Sequence, residues 1–453
     1  MSFRNHATSR LLSFVGIFLS ATSSFADSGD WPCFRGPDAS GNGDGSNPPV
    51  VWDAESGKNV KWKTPIPGLG HSSPIVWGER VYVTSAVSAN SEPTLRIGLY
   101  GESPEHPEAV VHDFNVYCVD KNTGAILWTQ TATSGVPKVK RHLKSSHATC
   151  TSATDGKHLI AFFGSEGLYC FDMDGKLLWQ RDLGLLDAGA LDAPEIQWGF
   201  GSSPTICDDR VIVLCDANNT SFIAALNVDT GAEIWRTPRD EVPTWGTPTI
   251  VRQGGRTQAV VNGWKHIGGY DIANGTEIWR MTGGGDIPVP TPIYAHGLIF
   301  ITNAHGGGAP IYAIRTDATG DISLKQGERS NSFIPWSEPR KGDYIPTPIV
   351  YGDHLYINND RGILTCYDAK TGTQAYRVRL TGGAEAYSAS PVAADGRLYF
   401  TMEYGEIHVV KAGPEYKLLS TNKIGEPCLA TPAIAKDMLI VRSSKHLFGL
   451  TEK

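Results

Sequence analysis

Four polar side chains in the C-terminal half of the chain have the types that bind cations or move protons. Asn358, Asp360 and Arg361 occur together in "INNDRG" (357–362), and Glu403 stands in "TMEYG" (401–405). Carboxylate and amide oxygens are the ligands that calcium prefers. If these loops meet, Glu403 and Asn358 are candidate calcium ligands. Arg361 argues against this, because its charge would oppose a cation and could instead hold Asp360 in an ion pair.

Other reactive patterns are missing or out of place. The segment "GFGSSPT" (199–205) contains a serine after G-x-G, but it opens a β-rich run and not a turn into a helix, which excludes a hydrolase elbow and a phosphate loop. No Cys-x-x-Cys metal pattern occurs. Cys118, Cys170 and Cys366 share one place in a repeated phrase and are predicted as buried strand residues, which leaves Cys33 and Cys428 as disulfide candidates.

The N-terminal residues have the pattern of an export signal. Arg4 and Arg10 precede and flank the apolar run "LLSFVGIFLSA" (11–21), and "TSSFA" follows it, so we predict a signal peptide at residues 1–26. The apolar run is about half of the roughly 20 residues that a spanning helix needs, which disfavours a transmembrane anchor. Because the first cysteine, Cys33, lies beyond the cleavage site, a lipoprotein is not expected. The predicted location is periplasmic or secreted.

The charge of the remaining chain restricts its partners. Without the two signal arginines, the 40 basic residues fall to 38 against 47 acidic ones, a net charge of −9. This charge argues against nucleic acid or an anionic membrane surface as a partner. One basic run, "KVKRHLK" (138–144), departs from the trend. It is either a solvated loop or a segment that covers a functional surface.

Two short phrases recur along the chain and define the elements that must position these side chains. One is a turn followed by tryptophan, as in "VDKNTGAILW" (119–128) and "NVDTGAEIW" (227–235). The other is a small or polar pair followed by proline and an aliphatic residue, with a degenerate copy that puts Cys150 in the proline position. Its prolines are Pro74, Pro204, Pro248, Pro292, Pro348, Pro391 and Pro432. The closest spacings, 41 to 44 residues, match the roughly 40 to 50 residues of a four-stranded propeller blade.

Each unit reads as four strands, A to D, with the glycine turn closing the hairpin from C to D. The tryptophan then lies on the outer strand and packs between blades. These structural tryptophans are Trp62, Trp128, Trp179, Trp235 and Trp279. The last unit ends after a third strand, and "KNVKWKTPI" (58–66) can supply the fourth. We predict an all-β fold with a leader at 27–57 and, at 58–453, an eight-bladed β-propeller of four-stranded antiparallel blades closed by an N-terminal strand.

The two faces of this propeller differ in loop length. Turns from A to B and from C to D share one face and are short, while B-to-C loops and blade-to-blade links share the other. Long insertions are assigned to this second, elaborated face, at residues 86–113, 132–146, 184–198 and 325–344. Binding residues usually collect on such loops. The polar residues there form either a binding site or the hydrated mouth of a channel.

The repeated phrases resemble those of the pyrroloquinoline-quinone-like β-propeller family over about residues 58–453. That family includes quinoprotein alcohol dehydrogenases and the propeller lipoprotein of the outer-membrane β-barrel assembly machinery. The leader "WPCFRGPDASGNG" (31–43) further resembles the start of secreted propellers with this repeat. The resemblance implies a fold and leaves the reaction open.

The dehydrogenase branch implies a calcium ion beside the quinone, held by a carboxylate and an amide, with an aspartate as base. The nearest residue types are Glu403 and Asn358 for the metal and Asp360 for the base, with Arg361 and Trp264 as further cofactor-binding candidates. The chain departs from that branch because it has no adjacent cysteine pair and no Cys-x-x-Cys-His haem pattern, and it is short for the group.

These observations favour an exported, non-enzymatic binding or scaffold protein. It would recognise an extracytoplasmic protein or other ligand through the elaborated face, and no cofactor is expected. The missing lipid-attachment cysteine weakens the assembly-scaffold version of this prediction. The alternative is a dehydrogenase of alcohols or sugars that depends on pyrroloquinoline quinone and calcium.

Overall fold

The structure, a computed structural model, describes residue 1 and residues 29–89, 94–99, 105–106, 108–190, 193–305, 308–383 and 385–452. Residues 2–26 of the predicted signal peptide lie outside the described residues. The described chain forms eight antiparallel blades, which confirms the predicted propeller. Among the described residues, no helix has the length and apolar content needed to cross a membrane.

In the first four blades, strands A to D run from the central channel outward. Blade 1 contains Ile75–Trp77, Arg80–Ser88, His112–Asp120 and Ile126–Gly135. Blade 2 contains Ala153–Thr154, His158–Phe162, Leu168–Asp172 and Leu177–Arg181. Blade 3 contains Thr205–Cys207, Arg210–Asp216, Ser221–Asn227 and Glu233–Pro238. Blade 4 contains Thr249–Gln253, Arg256–Val261, Ile267–Asp271 and Glu277–Met281, with Gly320–Asp321 added in parallel at its outer edge.

The other four blades repeat this order, and the chain's first strand completes the last blade. Blade 5 contains Ile293–Ala295, Leu298–Thr302, Ile311–Arg315 and Trp336–Glu338. Blade 6 contains Ile349–Tyr351, His354–Asn358, Ile363–Asp368 and Gln374–Arg379. Blade 7 contains Val392–Ala394, Arg397–Thr401, Glu406–Lys411 and Leu418–Lys423. Blade 8 contains Ala433–Ala435, Met438–Arg442, His446–Thr451 and Val60–Pro65.

A few short elements lie outside the blades. Two small strand pairs join Glu105–His106 to Arg141–His142 and Gly189–Ala190 to Ala193–Gln197. Two single-turn 3-10 helices cover Pro37–Ala39 and Gly164–Glu166. The molecule is therefore built almost wholly from the repeated hairpins that the sequence predicts.

Successive blades are tied together at the channel by hydrogen bonds from backbone to hydroxyl. The Ser73 N–H donates to Thr151 Oγ1 at 2.9 Å, and the Thr151 N–H donates to Ser203 Oγ at 2.9 Å. The same bond, at 3.0 to 3.2 Å, joins Ser203 to Thr247, Thr247 to Thr291, Thr291 to Thr347, Thr347 to Ser390 and Ser390 to Thr431. We call these eight residues the hydroxyl ring. Each member from Thr151 to Thr431 satisfies a buried N–H of the preceding blade.

The hydroxyl ring corrects the assignment of Cys150. Thr151 occupies the hydroxyl position in blade 2, so Ser152 stands where the other blades have proline, and strand A begins at Ala153. Cys150 is a buried residue one position before the ring. In the other seven blades, strand A begins directly after the predicted proline.

On the outer side, the tryptophan of one blade packs on the turn glycine of the next. A Cβ at Gly231, where φ is +67°, would lie 2.6 Å from the Trp179 ring. The Trp179 indole N–H donates to the Val228 carbonyl in the same turn at 2.8 Å. Equivalent ring contacts join Trp62 to Gly124, Trp128 to Gly175, Trp235 to Gly275 and Trp336 to Gly372. The repeated glycine therefore provides both the positive φ and the space for a neighbouring indole.

The tryptophans differ in how they meet the next blade. Trp62, Trp179, Trp235 and Trp279 are buried, whereas Trp128 is only half-buried. Trp279 donates to Gln258 Oε1, and Gln258 Nε2 donates in turn to the Thr316 carbonyl of blade 5. Trp336, which the sequence analysis missed, fills the place in blade 5 and donates to the Ala369 carbonyl of blade 6.

The insertion predicted at 325–344 lies largely on the opposite face. Residues 316–335 connect strand C to strand D of blade 5, so they belong to the face with the short turns. The sequence "DATG" (317–320) resembles the other turns, but Gly320 and Asp321 leave the hairpin and pair with strand D of blade 4. Strand D of blade 5 therefore starts only at Trp336.

The leader crosses the central channel. The backbones of Trp31 and Val76 exchange two hydrogen bonds of 2.8 Å in blade 1, and Asn42 pairs with Ala393 in blade 7. Between these points the buried Arg35 guanidinium donates to three carbonyls at the starts of inner strands. The acceptors are Thr347 at 3.1 Å, Pro348 at 2.9 Å and Pro391 at 3.2 Å. The leader is thus a packed part of the propeller interior.

We expect Gly231→Ala to destabilise the protein more than Gly352→Ala. Both residues have positive φ, but a Cβ at Gly352 meets no atom within 4 Å. Gly352→Ala should cost about 1–2 kcal/mol in backbone strain, and Gly231→Ala a further ~1–3 kcal/mol for displacing Trp179. Urea denaturation of the two variants measures the difference, and equal losses would contradict the proposed contact.

Candidate functional site

A cavity of about 980 Å³ lies in the central channel between the hydroxyl ring and the loops of the elaborated face. Phe34 of the leader is among its lining residues, together with most of the hydroxyl ring. We call this space the central cavity. Because the leader crosses the channel here, the central cavity is bounded by chain segments from both ends of the sequence.

Each blade contributes a second residue to the central cavity, two positions before its member of the hydroxyl ring. From blade 1 to blade 8 these residues are His71, Thr149, Gly201, Trp245, Val289, Ile345, Ser388 and Leu429. Blades 4 to 6 therefore present an apolar wall, while blades 7, 1 and 2 present polar side chains. The backbone position repeats, and the side chain at that position sets the chemistry of each sector.

Two indoles form the widest part of the apolar wall. The ring centroids of Trp198 and Trp245 lie 6.0 Å apart, and Trp245 donates its indole N–H to the Gly199 carbonyl at 2.8 Å. Gly201 allows this packing, since a Cβ there would lie 3.0 Å from Trp245. The buried Nε1 of Trp198 has no acceptor among the described residues. An N–H group of this kind is costly to bury unless something accepts its hydrogen bond.

A buried ion pair joins the basic run to blade 7 beside the central cavity. Lys144 Nζ lies 2.8 Å from Glu403 Oε1, and the two side chains are 3% and 0% exposed. The Glu403 carboxylate also accepts from the Gly98 N–H at 2.9 Å and from the Ser388 hydroxyl. Burial lowers the pKa of Lys144, and Glu403 opposes that shift. All of these contacts favour Glu403 as the partner of an ammonium group.

The rest of the basic run is also largely integrated into the fold, which corrects the solvated-loop alternative. Arg141 is fully buried and donates to Glu108. Glu108 Oε2 lies 3.2 Å from Nε2 of both His112 and His147. Burial lowers the pKa of His112, but the hydrogen bond and the charge of Glu108 raise it, and the net shift is upward. Of this run, His142 and Lys144 line the central cavity.

The other predicted site residues are dispersed around this region. Asp360 and Arg361 line the central cavity. Burial raises the pKa of Asp360, and the charges of Arg361 and Lys144 oppose that rise. Asn358 is buried, its Oδ1 has no partner among the described residues, and it is not part of the lining. Trp264 also lies outside the lining, and its backbone N–H donates to Glu241.

These residues do not fit a calcium–quinone site. Glu403 would have to leave Lys144, and that would expose a buried ammonium without its counter-charge. Asp343, a further buried residue, has no hydrogen-bond partner for either carboxyl oxygen among the residues that the structure describes. Burial raises its pKa well above the usual range, and Asp360 adds to the rise. The described residues contain no group of three or more His, Cys, Asp or Glu placed to hold a metal.

The cysteines offer no disulfide among the described residues. All eight have free thiols, and Cys428, one of the two disulfide candidates, is fully buried. Cys118, Cys170 and Cys366 lie in the third strands of their blades, where burial raises the pKa of their thiols. The cysteines serve packing in this fold.

Comparison with known proteins identifies the family to which this sequence is similar. The profile of the pyrroloquinoline-quinone-like family described as outer membrane protein assembly factor BamB matches residues 112–378. BamB from Shewanella oneidensis is 23% identical over 272 residues, which are 59% of this chain and 55% of that protein. The chain thus spans about half the length of this relative.

Solved structures share the fold at low identity. BamB from Moraxella catarrhalis has a TM-score of 0.54 and 13% identity, covering 81% of this chain and 98% of that one. A europium-containing methanol dehydrogenase has a TM-score of 0.62 and 13% identity, covering 93% and 91%. Quinohemoprotein alcohol dehydrogenase ADHIIG from Pseudomonas putida HK5 has a TM-score of 0.59 and 11% identity. The match covers 94% of this chain and 80% of that one. These likenesses establish the fold alone, which binding proteins and enzymes share.

We expect Lys144→Met to cost about 3–5 kcal/mol, because it leaves the Glu403 carboxylate buried without its cation. Adding Glu403→Met should recover part of that loss, so the two effects will be strongly non-additive. The control is Lys370→Met, whose 3.5 Å pair with Asp353 is exposed and should contribute about 0–1 kcal/mol. Denaturant unfolding of Lys144→Met, Glu403→Met, the double variant and Lys370→Met tests this, and additive losses would contradict the ion pair.

We expect stability to fall on acidification partly through His71. Burial, with Arg442 and Arg141, lowers the pKa of His71 to about 3. The unfolded chain gains this proton near pH 6.5 and the folded chain only near pH 3, so the free energy of unfolding drops as pH falls between these values. His71→Gln should flatten that decline by at most about 1.4 kcal/mol per pH unit. Identical pH profiles for both proteins would refute the assignment.

Proposed function

The chain belongs to the family of the outer membrane protein assembly factor BamB, and on that premise we propose that it is an exported, non-enzymatic scaffold. Its partner is another extracytoplasmic protein, bound through the elaborated face in the periplasm or outside the cell. The central cavity is the site that receives the partner. No cofactor takes part in this binding.

The observation that carries this proposal is the composition of the cavity wall. Trp198, Trp245, Val289 and Ile345 supply apolar and aromatic surface below the loops. Large aromatic residues in a recess are typical centres of binding energy in protein interfaces. The unpaired N–H of Trp198 supplies a donor beside that surface. A partner segment with an apolar side chain and a nearby carbonyl would satisfy both features.

The charged groups support binding over catalysis. Lys144 and Glu403 neutralise each other at 2.8 Å, so neither is available to react with a substrate. Asp286 and His305, on another sector of the mouth, are also hydrogen-bonded to each other, at 2.8 Å. A catalytic base needs an accessible, positioned group near its substrate. Asp360 is the one candidate carried over from the sequence, and Arg361 adjoins it.

We expect Trp245→Ala to reduce capture of the partner by about tenfold or more, because central aromatic anchors often contribute 2 kcal/mol or more. The chain is immobilised and used to capture proteins from the exported fraction of its source organism, with the amounts bound measured by quantitative mass spectrometry. Trp264→Ala is the matched control, since that indole belongs to the elaborated face but lies outside the cavity lining. Equal capture by wild type and Trp245→Ala would contradict the proposal.

The dehydrogenase alternative is tested on the same protein. The chain is incubated with calcium and pyrroloquinoline quinone, and dye reduction is measured with a panel of alcohols and sugars. We expect no turnover. Turnover that disappears in Asp360→Asn, with thermal stability retained, would replace the scaffold proposal by the dehydrogenase.

A further inference from the structure

The outer strands of the blades differ in how their free edges are protected. An unpaired strand edge adds further strands unless charge, proline or a covering segment prevents it. Gly320–Asp321 covers the edge of blade 4. Six other outer strands carry charged residues, namely Arg181 in blade 2, Glu233 and Arg236 in blade 3, Glu338 in blade 5, Arg377 and Arg379 in blade 6, Lys423 in blade 7, and Lys61 and Lys63 in blade 8.

Among the described residues, the outer strand of blade 1 has none of these protections. Its sequence, "ILWTQTATSG" (126–135), contains no charged residue and no proline. At 10 residues it is also the longest outer strand that the structure describes. No described strand pairs with its outer side. This edge is the one most open to strand addition.

Exposed apolar residues lie at both ends of this strand. Ile126 and Leu127 are 40% and 49% exposed at its start, and Val136 is 50% exposed just after its end. Val111, which precedes the paired strand C, is 48% exposed. Between the two ends, Trp128 is half-buried, and its indole N–H has no acceptor among the described residues.

We propose that two copies of the chain associate through this edge, with their blade 1 outer strands antiparallel about a twofold axis. The two four-stranded blades would then form one continuous eight-stranded sheet. In such a pairing the start of one strand lies opposite the end of the other. With the axis between Thr129 and Gln130, Leu127 of each copy lies opposite Ala132 of its partner copy and Ile126 opposite Thr133, so the apolar start of each strand meets an uncharged segment of its partner.

A second copy suits this edge because the strand is uncharged along its whole length. Twofold pairing brings a strand against itself, and like charges placed opposite each other are destabilising. If the outer strand of blade 6 paired with itself in this way, arginine would lie opposite arginine, and in blade 8 lysine would lie opposite lysine. Thr129 and Thr131, by contrast, are exposed threonines near the centre of the blade 1 strand, where threonine pairs are tolerated.

The strand is irregular at two points, and this limits which residues pair. Register shifts place bulges at Leu127 and Ala132 against strand C. The bulge at Leu127 has counterparts one residue before the aromatic position in other blades, such as Leu178 and Ile234. The regular segment between the bulges, Trp128–Thr131, is the centre of the proposed contact.

The oligomeric state of the full chain, purified from the exported fraction of a bacterial expression host, tests this proposal. We expect sedimentation equilibrium to show a monomer–dimer equilibrium. Thr129→Lys should lower the association constant of the dimer by about tenfold or more, since two lysines would meet near the axis. Gln180→Lys, at the equivalent position in blade 2, is the matched control and should leave association unchanged.

A charge swap separates the interface from a folding defect. Thr129→Lys and Thr129→Glu should each be monomeric alone, and an equal mixture of the two should form a mixed dimer. Hydrogen exchange should slow at amides 128–131 in the associated form. A wild-type chain that stays monomeric at its highest soluble concentration would overturn the proposal, as would a dimer unaffected by Thr129→Lys.

Discussion

The first seven blades of this propeller each depend on a hydroxyl that the next blade supplies. The donor is a buried backbone N–H beside the channel, and an unpaired group of this kind costs about 1–3 kcal/mol. Seven described junctions, from Ser73 to Thr431, use the same bond. The blades therefore stabilise one another in series. Because most of the hydroxyl ring lines the central cavity, the diameter of the ring sets the width of the cavity and of the channel that the leader crosses.

Short-range patterns were sufficient to predict the fold because both repeated phrases are local. The glycine turn needs positive φ, and strand A begins two residues after the hydroxyl, so each can be recognised within ten residues. The errors arose where contacts between blades override the local pattern. Cys150 was aligned by its neighbours, whereas Thr151 is identified by its bond to Ser73. The turn at Gly320 pairs with blade 4, which displaces strand D of blade 5 to Trp336.

The candidate site was less accessible to sequence reasoning, because its partners are far apart in the chain. The structure puts Asp360 and Arg361 on the cavity wall. Glu403 has the residue type of a calcium ligand, but its neighbour in space is Lys144, 259 residues earlier. No local pattern indicates that pairing. The cavity residues two positions before the hydroxyl ring, such as Trp245, could have been predicted from the sequence, because their distance from the repeated proline is the same in seven of the blades.

The leader gives the assembly of this protein an order in time. Trp31, Arg35 and Asn42 are synthesised before the blades, yet the carbonyls that accept from Arg35 belong to blades 6 and 7, and Val60–Pro65 pairs with strand C of blade 8. The leader therefore reaches its final contacts only after the blades that follow it have been synthesised. A chain that stops early has neither a closed ring nor a seated leader. Closure of the propeller thus couples segments that are synthesised far apart in time, and neither the leader nor the last blade is complete without the other.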